Sequence, residues 1–356
     1  MSRFFSSRYA ALTPYTPGEQ PQDQDYLKLN TNESPFPPSP GVAAAVAEQC
    51  GKLQLYSDPQ CAGLRRALAD RYGVSRPANV MVGNGSDEVL DLAFCAFAGE
   101  ERPLYFADVT YGFYPVFAAK NRLPYEVIPL KEDFSIDPAD YFGKNGVAVI
   151  ANPNAPTGLA LGLDDFEAIL KANPDGVLIV DEAYVDFGAE SAAALLSRYD
   201  NLLVVRTFSK SRSMAGARLG FALGSEALIA DLETLRYSTN PYNVNRMTLA
   251  AGEAALAQDD YYMENCRRIA AIRDKVAGQL EAMGWKVLPS KANFLFAAAP
   301  GMGGGAMYQA LRQRGVLVRY FDAPRTRGYI RVSIGDEAQM ERFMQTIKEI
   351  MKEAAQ

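Results

Sequence analysis

Lys210 has the clearest capacity for covalent chemistry in this sequence. It lies in the segment TFSKS, residues 207–211, directly after the apolar run at 202–205. A lysine at the end of a buried strand is partly desolvated, and desolvation lowers the pKa of an amine and makes it a nucleophile for carbonyl groups. A lone lysine is more often a solvated surface residue. The interpretation of Lys210 therefore depends on whether other residues could bind the same ligand.

Two further charged residues occupy comparable positions. Asp181 follows the apolar run at 177–180, and a carboxylate there needs a cation. A pyridinium nitrogen is one candidate, and a helix N-cap or a core salt bridge are the ordinary alternatives. Arg218, eight residues after Lys210, could bind a phosphate through two hydrogen bonds or form a surface ion pair.

Two more features suit a phosphorylated aromatic ligand. The segment GNGSDE at 83–88 opens a stretch of helical periodicity, and a helix N-terminus binds anions, although Ser86 or Asp87 could be a simple N-cap. Tyr111 could stack on an aromatic ring or merely pack. Each residue alone has an ordinary explanation. Together they offer partners for the aldehyde, ring nitrogen, phenolic oxygen and phosphate of pyridoxal phosphate.

The elements that must position these residues follow an α/β pattern. Apolar runs at 80–82, 147–150, 177–180 and 202–205 alternate with helix-like stretches, and each run ends in polar residues. In open α/β sheets ligands bind at that edge. The pattern predicts three parts: an irregular N-terminal arm at 1–40, a large domain at 41–245 and a smaller α+β domain at 246–356.

The composition excludes several classes of function. The 356 residues carry a net charge of -6, which provides no basic surface for nucleic acid or an anionic membrane. The absence of histidine excludes Ser-His-Asp triads, Cys-His pairs and imidazole metal sites. The four cysteines lack metal-like spacing and indicate a reducing cytoplasm, and no apolar run has the length of a membrane span. We therefore expect no metal, nucleic-acid or membrane partner.

Over nearly its whole length the chain resembles the fold-type-I pyridoxal-phosphate aminotransferases, most closely the histidinol-phosphate aminotransferase family. The segments that carry the resemblance are LTPY at 12–15, LNTNESP at 29–35, GNGSDE at 83–88, DEAY at 181–184, TFSKS at 207–211, PYNV at 241–244, ANF at 292–294, Arg319, and IRV at 330–332. The resemblance implies a large domain with a mostly parallel seven-stranded sheet, a smaller α+β domain, and a homodimer with shared active sites.

The resemblance also implies roles for individual residues. Lys210 would bind the cofactor as a Schiff base and move the catalytic proton, Asp181 would keep the pyridine nitrogen protonated, and Tyr184 would hydrogen-bond the phenolic oxygen. The phosphate contacts would come from the backbone of Ser86 and Asp87, from Thr207, Ser209 and Arg218 and, from the neighbouring subunit, Tyr56. Tyr111 would stack on the ring. The residues facing the substrate would be Tyr15, Asn32, Arg319 and Arg331.

One position departs from the family pattern. The family usually reads NNPTG, and its second Asn contacts the phenolic oxygen. Here that position is Ala155, and Asn154 precedes it. Asn154 is therefore the candidate for this cofactor contact.

The implied activity is transamination between histidinol phosphate and 2-oxoglutarate, a step of histidine biosynthesis that yields imidazole acetol phosphate and glutamate. An aromatic amino-acid aminotransferase would use the same framework. A pyridoxal-phosphate decarboxylase of the phosphothreonine type has similar motifs, but the PYNV segment and the arginine spacing fit it less well. A cofactor-free Schiff-base aldolase would need Lys210 but neither Asp181 nor Arg218.

Overall fold

The computed structural model describes residues 2–354. Its α-helices are α1 (Pro40–Cys50), α2 (Ala62–Tyr72), α3 (Ser86–Phe97), α4 (Tyr114–Asn121), α5 (Leu163–Ala172), α6 (Glu226–Thr239), α7 (Arg246–Ala257), α8 (Asp259–Ala282), α9 (Gly304–Gln313) and α10 (Glu337–Ala354). Its strands are β1 (Leu27–Lys28), β2 (Val80–Gly83), β3 (Leu104–Ala107), β4 (Tyr125–Ile128), β5 (Val147–Ala151), β6 (Val177–Asp181), β7 (Leu202–Thr207), β8 (Gly220–Gly224), β9 (Lys286–Val287), β10 (Phe294–Ala298), β11 (Val316–Leu317), β12 (Arg319–Tyr320) and β13 (Ile330–Ser333). No helix within residues 2–354 is long and apolar enough to cross a membrane.

The large unit is built on a seven-stranded sheet with the order β2-β8-β7-β6-β5-β3-β4. Only β8 runs antiparallel to its neighbours, so the predicted mostly parallel sheet is confirmed. The carboxyl ends of the remaining strands therefore meet at one edge. Polar residues that follow β2, β5, β6 and β7 are brought together there.

Helices cover both faces of this sheet, which explains why its central strands are apolar throughout. Along β6, Val180 packs in the core cluster shared with α2, α5 and α7, whereas Ile179 packs in the cluster shared with α3, α4 and α6. Successive side chains of a strand point to opposite faces, so both faces need apolar residues.

The smaller unit contains a four-stranded antiparallel sheet with the order β12-β13-β10-β9. Its core includes side chains from α8, α9 and α10. The predicted N-terminal arm contributes to this unit, because β1 pairs in parallel with β11 and Leu27 and Leu29 are buried in the same core.

The change from one core to the other does not coincide with residue 246, the predicted start of the smaller domain. Leu249 and Ala255 of α7 pack in the core of the large unit, and so does Tyr262 of α8. From Cys266 onward, α8 packs in the core of the smaller unit. We therefore propose that the boundary lies within α8, between Tyr262 and Cys266.

Candidate active site

A cavity of about 470 Å³ lies at the carboxyl edge of the large sheet, beside the antiparallel sheet of the smaller unit. It is lined by thirteen of the residues proposed from sequence: Tyr15, Asn32, Ser86, Asp87, Tyr111, Asp181, Tyr184, Thr207, Ser209, Lys210, Arg218, Arg319 and Arg331. They come from separate parts of the chain, so only folding brings them together.

Lys210 reaches this cavity from the loop that follows β7. The side chain is half-buried, and its Nζ donates a hydrogen bond to the backbone oxygen of Thr31 at 3.1 Å. The Nζ lies 5.8 Å from the ring centre of Tyr184. Among residues 2–354 no carboxylate forms an ion pair with it. A sheltered amine without an anionic partner can react with a carbonyl group.

Asp181 lies at the end of β6 and is buried. Burial raises the pKa of its carboxyl group to about 6, although hydrogen bonds from the Tyr114 hydroxyl at 2.9 Å and the Ala183 N–H at 3.2 Å oppose the shift. No lysine or arginine of residues 2–354 pairs with Asp181. The carboxylate thus fits a ligand that brings its own cation, such as a protonated pyridine nitrogen.

The N-terminus of α3 provides an anion site on the other side of the cavity. Gly220 of β8 permits a close approach, because a Cβ at that position would lie 2.3 Å from the Ser86 nitrogen. Arg218 lies beside this turn and pairs with Asp87 at 3.0 Å. Ser86 N–H, the α3 dipole and the Arg218 guanidinium together suit a phosphate.

The Thr207 and Ser209 hydroxyls extend this polar surface. The two oxygens lie 3.0 Å apart, and the Thr207 Oγ1 also accepts the Ser209 N–H at 3.1 Å. Both side chains are buried against the cavity. These hydroxyls can therefore contribute hydrogen bonds to the same phosphate.

Two tyrosines form an aromatic wall. The Tyr111 hydroxyl donates to Asp87 at 2.8 Å, and burial together with this carboxylate holds the pKa of Tyr111 well above its usual range. Tyr15, from the N-terminal segment, stacks on Phe113 at 4.1 Å between ring centres. Tyr111 therefore stays neutral and keeps a fixed position beside the cavity.

Arg319 and Arg331 form the substrate-facing side. They lie directly opposite each other on β12 and β13, where two like charges repel each other unless an anion lies between them. Arg331 donates to the backbone oxygen of Asn30 at 3.0 Å, and its buried Nε has no hydrogen-bond partner among residues 2–354. Burial lowers the pKa of Arg331, and the charge of Arg319 acts in the same direction.

No carboxylate of residues 2–354 neutralises this arginine pair. Arg319 donates to the backbone oxygens of Thr16 at 2.7 Å and Pro17 at 3.0 Å. Uncompensated guanidinium groups at a cavity wall are suited to bind an anionic substrate group.

Two of the proposed residues are not brought to this cavity. The Asn154 side chain is already hydrogen-bonded, mostly to the segment that follows β3: its Oδ1 accepts from Thr110 at 2.8 Å, and its Nδ2 donates to the Val109 backbone oxygen at 2.9 Å and to Thr157 Oγ1 in its own loop at 3.0 Å. Ala155 lines the cavity instead. Asn154 therefore does not line the cavity, and its contact with the cofactor stays a prediction.

Tyr56 lies outside the cavity of its own chain. Its side chain is 79% exposed and stacks on Tyr242 at 4.4 Å. Tyr56 therefore does not contribute to the cavity wall of its own chain.

The structure adds two residues that the sequence interpretation missed. Tyr114 holds Asp181, and Thr31 accepts the hydrogen bond from Lys210. Tyr114 is the first residue of α4, and Thr31 lies within the segment LNTNESP. Neither position has a local pattern that distinguishes a site residue from a packed one, although Tyr114 follows Tyr111 by three residues.

Comparison with known proteins agrees with this geometry. The family described as Aminotransferase class I and II matches residues 24–347. The histidinol-phosphate aminotransferase of Clostridium acetobutylicum is 48% identical over 350 residues, which cover 98% of this chain and 99% of that protein. The histidinol-phosphate aminotransferase of Marinomonas sp. is 50% identical over 354 residues, with coverage of 98% and 99%.

A solved structure extends the similarity to three dimensions. The histidinol-phosphate aminotransferase of Sinorhizobium meliloti, in complex with pyridoxal-5'-phosphate, has a TM-score of 0.84 at 27% identity, covering 92% of this chain and 91% of that one. The resemblance inferred from sequence is confirmed, and the chain belongs to the aminotransferase class I and II family.

Proposed function

We propose that this protein is a pyridoxal-phosphate-dependent histidinol-phosphate aminotransferase, which transfers the amino group of histidinol phosphate to 2-oxoglutarate. Relatives of that name align with 98% of the chain at 48% and 50% identity. The products would be imidazole acetol phosphate and glutamate, in histidine biosynthesis.

The arginine pair is the observation that carries this proposal. Arg319 and Arg331 face each other across β12 and β13 at the cavity wall, and neither has a carboxylate partner within residues 2–354. A phosphate dianion accepts two guanidinium groups better than a carboxylate does. The same pair can hold a carboxylate of 2-oxoglutarate in the second half-reaction.

Pyridoxal phosphate, when bound, supplies an aldehyde that condenses with amines and a protonated ring that withdraws electrons from the amino-bearing carbon. We assign the aldehyde to Lys210, the ring nitrogen to Asp181 and the phenolic oxygen to Tyr184. The phosphate would be held by Thr207, Ser209, Arg218 and the backbone N–H groups of Ser86 and Asp87, and the ring would pack on Tyr111.

The protein residues then divide the work of proton transfer. Lys210 Nζ would be the base that takes the proton from the amino-bearing carbon of the substrate and returns it during transfer. The buried Asp181 carboxylate holds the proton on the ring nitrogen, because the low-polarity surroundings strengthen that charge pair. Tyr15 and Tyr111 shield these atoms from water.

We further propose a homodimer in which Tyr56 reaches the cofactor phosphate of the partner subunit. Leu53, Leu55, Tyr56 and Tyr242 form an exposed apolar surface in the single chain. Exposed apolar patches commonly mark interfaces, and isologous contacts of a twofold dimer would place Tyr56 at both active sites.

A cytoplasmic location also remains part of the proposal. All four cysteines are free thiols in the structure, including the buried Cys61 and Cys266. Free cysteines are typical of a reducing compartment.

The test compares kcat/KM for histidinol phosphate, histidinol and phenylalanine, with 2-oxoglutarate as the acceptor. Histidinol phosphate should exceed histidinol by about 100-fold, since hydrogen bonds to a charged group contribute about 1.5–3 kcal/mol each. Arg331→Ala should remove this preference for the phosphorylated donor and should also weaken the binding of 2-oxoglutarate. Arg314→Ala is the control, because Arg314 pairs with Glu353 and does not line the cavity.

Equal rates with histidinol or phenylalanine would contradict the phosphate-specific assignment and favour an aromatic aminotransferase. Release of carbon dioxide from a phosphorylated amino acid would indicate the decarboxylase instead.

A further inference from the structure

We propose that Ser333 is a positioning residue of the active site, which orients the Asn32 amide so that the Tyr184 hydroxyl donates its proton only towards the cavity. This inference deepens the proposed function, because it rests on the assignment of Tyr184 to the phenolic oxygen. In this inference Asn32 supports Tyr184, while its contact with the substrate stays a prediction.

The direction of the hydrogen bonds begins at Ser333. Its Oγ accepts the backbone N–H of Asn32 at 2.8 Å, and a backbone N–H can only donate. The single proton of the Ser333 hydroxyl is then free for the Asn32 Oδ1, which lies 2.9 Å away. Ser333 therefore identifies the oxygen of the Asn32 side-chain amide.

Because Oδ1 faces Ser333, the nitrogen of the Asn32 side-chain amide faces Tyr184. The Asn32 Nδ2 lies 3.0 Å from the Tyr184 oxygen and donates to it. Tyr184 cannot return its own proton to that group, because an amide nitrogen is not an acceptor. Within residues 2–354 no other hydrogen bond takes the Tyr184 proton, and the tyrosine lines the cavity.

The surroundings keep Asn32 in this orientation. Asn32 is 1% exposed and has a left-handed φ of 57°, a conformation that asparagine tolerates better than most residues. Its backbone oxygen accepts from the Asn293 Nδ2 at 3.0 Å. Ser333 is also buried, and its N–H donates to the Leu29 oxygen at 2.9 Å.

Loss of the Ser333 hydroxyl would remove the hydrogen bonds that fix the orientation of the Asn32 amide. The Asn32 amide could then rotate and present its oxygen to Tyr184, which would donate inward. The phenolic oxygen of the cofactor would lose a hydrogen bond and retain more negative charge. The nearby Lys210 nitrogen, when bonded to the cofactor, would consequently hold its proton more tightly.

The experiment titrates the visible absorption of the resting holoenzyme with pH, since this absorption follows that proton. Ser333→Ala should raise the midpoint by roughly one pH unit, the scale of a lost hydrogen bond to a charged group. Ser333→Cys keeps the size of the side chain but weakens the donor, so it should shift the midpoint less. The cysteine variant also covers the case in which Ser333→Ala fails to fold.

Ser290→Ala is the matched control. The Ser290 hydroxyl is buried, accepts the Ala292 N–H at 3.1 Å and donates to the Phe294 oxygen at 2.7 Å, yet it takes no part in the hydrogen bonds from Ser333 to Tyr184. Its loss should leave the midpoint unchanged.

Tyr184→Phe separates this inference from the proposed function. It should shift the midpoint at least as far as Ser333→Ala, and adding Ser333→Ala in that background should produce no further shift. An unchanged midpoint in Tyr184→Phe would refute the contact between Tyr184 and the cofactor. A shift in Tyr184→Phe with none in Ser333→Ala and Ser333→Cys, or additive shifts in the double variant, would overturn the role of Ser333 alone.

Discussion

Replacing Asp181 with asparagine should stabilise the cofactor-free protein while damaging the enzyme. Burial raises the pKa of this carboxyl group from an ordinary 3.8 to about 6. A raised carboxyl pKa means that the folded state binds the proton more tightly than the unfolded state. The folded state is therefore progressively destabilised as the pH rises from about 4 to 6, and the full cost remains above that range. Asparagine has a similar shape and no charge to bury.

The magnitude follows from the size of the shift. About two pKa units at 1.36 kcal/mol each correspond to a cost of about 3 kcal/mol at pH 7.5. Only about half of this cost is present at pH 5, because the folded carboxyl group is then mostly protonated. The gain of Asp181→Asn over the native protein should thus be larger at pH 7.5 than at pH 5 by about 1 kcal/mol.

The assay is urea unfolding of the cofactor-free protein and the variant at both pH values. Titrations shared by the two proteins cancel in the difference. Addition of pyridoxal phosphate should reverse the order, because the variant lacks the anion for the ring nitrogen, and turnover should fall by at least about 100-fold. A pH-independent difference, or a variant less stable than the native protein at pH 7.5, would refute the reasoning.

Three further changes test other parts of the site. Lys210→Ala should bind pyridoxal phosphate without a covalent bond and should lose turnover. Dialysis and borohydride reduction would show whether the cofactor is covalently bound, and an activity assay would measure turnover. Full activity would exclude Lys210 from catalysis. Mixed dimers of Lys210→Ala and Tyr56→Ala chains should recover activity, since one site of each hybrid is intact if Tyr56 acts across the interface; no recovery would place Tyr56 with its own chain. Ala155→Asn introduces an amide into the cavity wall and should shift the pH titration of the visible absorption of the holoenzyme, whereas an unchanged titration would mean that another group already satisfies the phenolic oxygen.

Much of the fold and part of the candidate site could be predicted from the sequence because the signals are local. The apolar runs that became β2, β5, β6 and β7 needed no knowledge of their partners, and parallel strands bring their carboxyl ends to one edge. Asp181 is the last residue of β6, and Lys210 lies in the loop directly after β7. Their arrival in one cavity was therefore predictable from position along the chain.

Tertiary structure decided the contacts that join distant segments. The register of β12 and β13 sets Arg319 opposite Arg331, and the fold brings Asn32 to Tyr184 and Tyr114 to Asp181. Such pairings depend on packing and strand register, which the structural preferences of single residues do not predict.

Asn154 and Tyr56 are residues whose side-chain contacts the sequence did not predict. The sequence determined their residue types and their motifs, but not where the side chains would point. Hydrogen bonds with Val109, Thr110 and Thr157 occupy the Asn154 amide, and stacking on Tyr242 holds Tyr56 at the surface. The sequence by itself thus determined the chemistry available and the edge of the sheet that presents it. The tertiary structure decided which groups meet, because that depends on hydrogen bonds and packing between residues far apart in the chain.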